Sequence, residues 1–255
     1  MLSPELPFVS WMLVGVFAAV TALLAVRASR KDRREYQRFK RYRSTARRQA
    51  MFRKWLRESF VVFGGLAVVI LLLVWQFVPL LLADVNALPL VRSARTAFED
   101  AAPASHIIAA ILVVAFLVVP LVLLFFASHD GEDLPSLGDI QAILPRNRAE
   151  VRLGALLSLN AGVVEELLFR LAIPALLYGA FGNALFALIV AVLLFGGLHA
   201  YQGAGGILTT AVIGTVLTLL YVAMGSILVP IVVHALIDLR SFVAIPLIVL
   251  KVQRN

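Results

Sequence analysis

The chain has 255 residues, 61% of them hydrophobic, and a mean hydropathy of +0.94. Soluble domains carry about 45–50% apolar residues, so the composition excludes an ordinary water-soluble globule and predicts an all-α, polytopic transmembrane helical bundle of about seven to eight spans. There is no cysteine, which excludes disulfides, thiolate metal sites and cysteine nucleophiles, and the net charge of +8 is unevenly placed.

The opening MLSPELP carries no basic residue and does not read as a cleaved signal peptide. Residues 8–26 read as a retained first span. Residues 27–58 hold fourteen of the 23 Lys and Arg, opposed only by Asp32, Glu35 and Glu58. A basic run can serve nucleic acid, but between two apolar stretches it reads as a positive-inside loop. That loop is expected to be cytoplasmic and to lie on anionic lipid head groups, with no nucleic-acid partner and the N-terminus outward. A second span is expected at 59–83, an outer loop at 84–105, a third span at 106–127 and a polar inner loop at 128–150 that contains DGEDLPSLGD. Further spans are expected near 152–178, 183–200, 206–224 and 226–250. Breaks at 179–183, at YQGAGG (201–206) and at 224–226 separate them, and Pro230 and Pro246 are placed to split the last. The chain divides into an N-terminal membrane region, 1–105, with its basic loop at 27–58, and a helical membrane bundle, 106–255, with the candidate site inside 150–240.

Within 151–239, beyond Arg152 at the entry, the ionisable residues of these spans are Glu165, Glu166, Arg170, His199, His234 and Asp238. An ionisable group inside a bilayer costs a few kcal/mol and marks a site by default. Glu166 and Arg170 are four apart, on one helix face, as an ion pair requires. Phe195 and His199 share that spacing, as do His234 and Asp238. Glu165 is turned about 100° from Glu166, so one glutamate meets Arg170 while the other points elsewhere. Taken singly, the ion pair reads as a clasp, Phe195 as packing and His199 as an interfacial histidine. Taken as a set on three successive spans, they exceed what a structural bundle needs. His106 and His129 stand at span edges without close acidic partners and receive no role.

In order, EELLFR (165–170), FGGLH (195–199) and HALID (234–238) resemble the three motifs of the CPBP intramembrane protease family, which includes the type II CAAX prenyl endopeptidases. GSILVPIVVHALID (225–238) resembles the neighbourhood of the third motif. The resemblance covers about 150–240 and implies a glutamate-type peptidase that needs no metal or other cofactor. It implies Glu165 as the base that activates water, His199 as its assistant, His234 and residue 238 as stabilisers of the oxyanion, and Glu166 and Arg170, with Phe195, in support. The chemistry is coherent, because peptide hydrolysis needs an activated water and a donor for the developing negative charge, and a carboxylate in a desolvated site is a stronger base. Position 238 departs from the pattern: it is Asp where the prenyl proteases carry Asn. An ionised Asp cannot donate to an oxyanion. It is either protonated or accepts from His234 and orients that ring, and the spacing favours the second reading.

The implied partner is a membrane-anchored protein or peptide, and the Ala- and Leu-rich composition reads as bacterial, which places the chain in the inner (cell) membrane. Two other classes use similar residues. A zinc-dependent membrane protease would take Glu165, His199, His234 and Asp238 as ligands, but HExxH is absent. A transporter, immunity or scaffold protein would use the same polar cluster without turnover, but the inverted repeat of many transporters is not seen.

Overall fold

A computed structural model describes residues 7–100 and 141–249, with the isolated residues 102, 119 and 252. The expected span 106–127, most of the expected inner loop, His106 and His129 lie outside the described residues. Among the described residues every regular element is helical. The helices are α1 (Pro7–Val26), α2 (Arg33–Lys40), α3 (Thr45–Glu58), α4 (Gly65–Val74), α5 (Phe77–Ala87), α6 (Pro89–Glu99), α7 (Arg148–Glu166), α8 (Ile173–Phe181), α9 (Ala184–Leu198), α10 (Gly203–Met224) and α11 (Leu228–Leu239).

Several of these join end to end through stretches with wider, π-type turns, at Arg27–Asp32, Ser59–Gly64, Leu167–Ala172 and Arg240–Val249. Four of the resulting helices are long and apolar enough to cross a membrane: Phe8–Lys40, Thr45–Val74, Ala200–Met224 and Leu228–Ile248. The pair α5 and α6 is bent by 81° and makes five if taken as one broken span. The lipid-facing character shows in side chains that would be buried in a soluble protein. Trp11, Leu72, Leu193 and Leu219 are all more than half exposed, as a hydrocarbon solvent permits and water does not.

The basic segment 27–58 differs from the loop expected of it. It is helical throughout except at residues 41–44, so it forms a helical hairpin that extends the first two spans. Arg, Lys, Gln and Glu are good helix formers, and the first helix, Phe8–Lys40, at about 1.5 Å per residue, outruns a ~30 Å hydrocarbon layer. The three acids of the segment are all paired inside this hairpin. Glu58 accepts from Arg27 at 3.2 Å and from Lys31 at 2.5 Å, Glu35 accepts from Lys54 at 2.6 Å and from the Trp55 indole at 2.9 Å, and Asp32 lies 3.4 Å from Arg27.

Breaks follow proline and glycine chemistry. The helix expected over 59–83 stops at Val74 and restarts at Phe77, because the ring of Pro79 cannot accept the carbonyl of Trp75 into a continuous helix. Pro89 opens α6 after an extended Leu88. The outer loop expected at 84–105 is therefore largely helical through Glu99. Gly182 and Gly225 close α8 and α10 in left-handed conformations, φ 63° and 62°. Asn183 caps α9 by accepting from the Phe186 amide at 2.9 Å. Pro230 lies in the first turn of α11, where proline is tolerated, and does not split it. Pro246 lies in the π-type stretch Arg240–Val249.

Packing joins the N-terminal hairpin to the helices of the candidate site. One apolar core runs through Leu13 of α1, Ile70 of α4, Phe77 and Leu81 of α5, Leu176 of α8 and Ala187 of α9, all nearly inaccessible. Helix α11 lies along α7, where Gly162 faces Ala235 and the carbonyl of Ile231 with no room for a side chain. The second tie is ionic. Arg48 of α3 and Glu150 of α7 are 1% and 0% exposed and meet Nε to Oε2 at 3.0 Å. The other guanidinium nitrogens donate to the carbonyls of Ala142 and Leu144 at 3.0 and 2.9 Å, and Glu150 also accepts from the Arg146 amide and the Asn147 side chain. Asn147 in turn caps α7 by accepting from the Glu150 amide, a reciprocal N-terminal box.

Removing one member of such a pair strands a buried charge. Arg48→Ala or Glu150→Ala is expected to cost about 3–5 kcal/mol, and Arg48→Met with Glu150→Leu less than the sum of the two single changes. Thermal unfolding in detergent measures all three; additive losses would show that the pair is not coupled.

Candidate functional site

The site begins at the end of α7, where Glu165 and Glu166 precede the π-type stretch Leu167–Ala172 that holds Arg170. One extra residue per turn there rotates the following face relative to a straight α-helix, a device common near functional groups. The two glutamates separate as adjacent residues on a helix must. Glu165 lines a cavity of about 340 Å³, whereas Glu166 and Arg170 stand outside it.

Glu166 is fully buried and has two cationic or polar partners. Its Oε2 lies 3.0 Å from Arg170 Nε. The two are poorly aligned, and neither atom makes a hydrogen bond among the described residues, so this contact is held by charge more than by direction. Its Oε1 accepts from His234 Nδ1 at 2.6 Å. Arg170 spends Nη2 on the carbonyl of Gly214 in α10 at 3.3 Å and lays its guanidinium over the ring of Phe195 at 4.6 Å, a cation–π contact. Glu166 and Arg170 thus tie α7 to α9, α10 and α11.

Phe195 does more than fill space. Its ring lies against Phe169, His199 and His234 at centroid distances of 5.0, 5.1 and 6.1 Å. With Arg170 on its face, it joins all three motifs. His199, at the end of α9, bonds through Nδ1 to the carbonyl of Phe195 at 2.9 Å. A carbonyl only accepts, so Nδ1 carries the proton and Nε2 remains free for chemistry. His234 is 5% exposed. Its Nε2 lies 3.9 Å from Asp238 Oδ2, too long for a hydrogen bond. The carboxylate that orients this ring is therefore Glu166, from a different helix, and not Asp238 four residues on. The i, i+4 spacing brings Asp238 into charge range of the ring without bonding it.

Glu165, His199, His234 and Asp238 all line the one cavity, together with Phe195. The remaining wall combines residues of the N-terminal hairpin, among them Arg27, Asp32, Tyr36 and Trp55, with Tyr201, Thr210 and Arg240. None of these was singled out by sequence. Tyr201 carried a usable signal, since a polar aromatic two residues after a motif histidine falls at the same break. Asp32 and Tyr36 carried none, because their approach depends on how the hairpin packs. Among the described residues no three His, Asp or Glu groups converge as a metal-holding set.

The long apolar helices define an integral membrane protein, with a polar cluster lining a cavity between its helices. Residues 147–240 match the family described as type II CAAX prenyl endopeptidase Rce1-like, consistent with a CPBP family protein. The matched segment contains the three motifs and excludes the N-terminal hairpin. No curated protein and no solved structure matches the chain significantly.

Close approach of α7 and α11 is what lets Glu166 reach His234. A Cβ on Gly162 would lie 2.9 Å from Ala235 Cβ and 3.0 Å from two backbone atoms of α11. Gly162→Ala is expected to destabilise the protein by about 1–3 kcal/mol through overpacking. Gly197→Ala, which meets nothing within 4 Å, is expected to be neutral or slightly stabilising. Paired melting curves test the difference, and equal midpoints for the two variants would contradict the tight helix contact.

Proposed function

We propose that the protein is a glutamate-type intramembrane endopeptidase that hydrolyses a peptide bond in a membrane-anchored protein or peptide. The observation that carries this reading is the shared cavity: Glu165, His199, His234 and Asp238 line one space among apolar helices, in the segment that matches a CAAX-protease family. Glu165 takes a proton from a water molecule as that water's oxygen bonds to the substrate carbonyl carbon. The free Nε2 of His199 accepts from the same water and holds it in line. His234, fixed at Nδ1 by Glu166, presents Nε2 to the cavity and, carrying a second proton, donates to the oxyanion. Asp238 balances that ring's charge from 3.9 Å. Collapse of the tetrahedral intermediate breaks the C–N bond, and the proton held by Glu165 passes to the leaving amine. Glu166, Arg170 and Phe195 hold the geometry.

The site is contained in 150–240, and the hairpin that precedes it contributes part of the cavity wall and, by this reading, part of substrate selection. By this reading the crossings number seven to eight: the four long apolar helices, the helix continuous over 148–181, the short apolar helix α9, the apolar sequence at 106–127 and, as an eighth, the bent pair of α5 and α6. The basic face of the hairpin, with Arg33, Arg34, Arg38 and Arg41 around one open surface depression, suits anionic lipid on the cytoplasmic side of a bacterial inner membrane and assigns no role to nucleic acid. A transporter or scaffold would retain its function without Glu165 acting as a base, and a zinc protease would require the metal.

Glu165→Gln is expected to keep the melting temperature and abolish cleavage of an internally quenched, S-farnesylated peptide with an aliphatic C-terminal tripeptide, presented in liposomes to the full-length protein. Wild-type turnover by this variant would remove Glu165 from the reaction. Dialysis against a strong chelator is expected to leave turnover unchanged, and loss of activity restored by zinc would favour the metalloprotease. His234→Ala and Asp238→Ala are each expected to lower kcat by about 10²-fold or more, and the double variant to be little worse than His234→Ala, because groups acting as a unit are not additive. Turnover that falls by the full product of the two single losses would show that Asp238 acts independently of His234.

A further inference from the structure

We propose that Tyr201 is a further catalytic residue, whose phenol O–H donates to the oxyanion that forms in the cavity beside His199. The inference rests on the peptidase reading and adds a donor to it.

The argument starts from which donors the site has already committed. His199 spends Nδ1–H on the Phe195 carbonyl, and His234 spends Nδ1–H on Glu166. Arg170 is turned to Glu166, the Gly214 carbonyl and the Phe195 face, outside the cavity. Asp238 faces His234 Nε2 at 3.9 Å and, as the charge partner of that ring in the mechanism above, donates no proton. An oxyanion in a desolvated site needs donors already aimed at it, and His234 alone supplies one only when doubly protonated.

Tyr201 is placed to supply another. It follows His199 on the short turn Ala200–Gln202 and lines the same cavity as Glu165, His199 and His234. Its ring is held on two sides, tilted 32° against His199 at 5.9 Å and edge-on to Tyr36 at 5.5 Å. The hydroxyl oxygen accepts from Gln202 Nε2 at 2.9 Å. That bond fixes the oxygen and uses a lone pair, and leaves the hydroxyl hydrogen for another acceptor. Among the described residues Tyr201 makes no other hydrogen bond. Its proton is therefore uncommitted, on a restrained ring, at the wall of a cavity where negative charge is expected to develop. The rival donors are Arg27 and Arg240, which also line the cavity and each have an Nε without a hydrogen bond; Arg27 is drawn to Glu58 and Asp32 within the hairpin. Arg240 is within electrostatic reach of Asp238, the carboxylate that also faces His234, and the Arg240→Gln variant below separates it from Tyr201.

Tyr201→Phe removes one oxygen and keeps both ring contacts. With the full-length protein in liposomes and the quenched farnesylated peptide as probe, this variant is expected to lose about 10²-fold in kcat with KM unchanged. A phosphonate analogue of the same peptide, whose tetrahedral anion stands in for the oxyanion, is expected to bind it more weakly by a similar factor. The melting temperature and the affinity for uncleaved peptide on a Glu165→Gln background are expected to stay the same. Wild-type kcat and phosphonate affinity in Tyr201→Phe, with Glu165→Gln inactive, would overturn the role of Tyr201 and leave the glutamate reading standing. Loss of phosphonate affinity in Arg240→Gln and not in Tyr201→Phe would overturn it in favour of Arg240. A lowered melting temperature with unchanged phosphonate affinity would make Tyr201 structural. Absence of cleavage by the wild type, or normal cleavage by Glu165→Gln, would overturn the peptidase reading and this inference with it.

Discussion

A carboxylate with no access to solvent must be answered by charge or by hydrogen bonds, or its burial is prohibitively costly. Glu166 is such a group, and its answer organises the helices around it. Arg170 lies one turn further along its own chain, and His234 reaches it from α11 with a bond of 2.6 Å. Arg170 in turn donates through Nη2 to the Gly214 carbonyl of α10 and lays its guanidinium over the face of Phe195 in α9, while Nε and Nη1 make no hydrogen bond among the described residues. One buried negative charge therefore brings four helices to a common point. Its neighbour Glu165, turned by about 100° on the same helix, is left facing the cavity. The tie and the free carboxylate are two consequences of a single pair of adjacent residues.

The π-type stretch that follows is part of the same constraint. Arg170 sits within it, and its guanidinium lies between Glu166, the Gly214 carbonyl and Phe195. Gly214 shows how little room this leaves: a Cβ there would come within 2.8 Å of the Phe195 ring. Gly162 plays the corresponding part between α7 and α11. The polar cluster and the small residues are therefore complementary. The glycines let the backbones approach, as is usual where helices associate without a hydrophobic driving force, and the charges make the approach specific.

The N-terminal hairpin lies outside the matched family segment, yet it is bound to that segment by a fully satisfied buried ion pair, Arg48 with Glu150, and by a hydrogen bond from Asn160 to Ser59. Its residues Arg27, Asp32 and Tyr36 line the cavity beside the motif residues. The motif-bearing segment is thus walled in part by an element that the family match does not cover. Tyr201 stands at their junction, with its ring between Tyr36 of the hairpin and His199 of the site.

Composition and spacing were enough to read the membrane class, the helical architecture and the break positions at 179–183 and 224–226, because hydropathy, glycine and proline act locally along the chain. They were also enough to single out Glu165, Glu166, Arg170, Phe195, His199, His234 and Asp238, because an ionisable residue in an apolar span stands out whatever its partners, and i, i+4 pairs share a face by helix geometry alone. Local spacing misled where a partner came from elsewhere. His234 read as oriented by Asp238, but its Nδ1 bonds Glu166, 68 residues earlier, since contact between two helices is decided by how closely their backbones pack. Arg48 read as one more charge in a cytoplasmic loop, and only packing shows it buried against Glu150, 102 residues on. The wall that Asp32, Tyr36 and Tyr201 build is likewise a product of tertiary structure. The sequence by itself determined which groups cannot be left in hydrocarbon alone, and the folded structure decided which group answers each, because burial sets the need for a partner and only three-dimensional proximity supplies one.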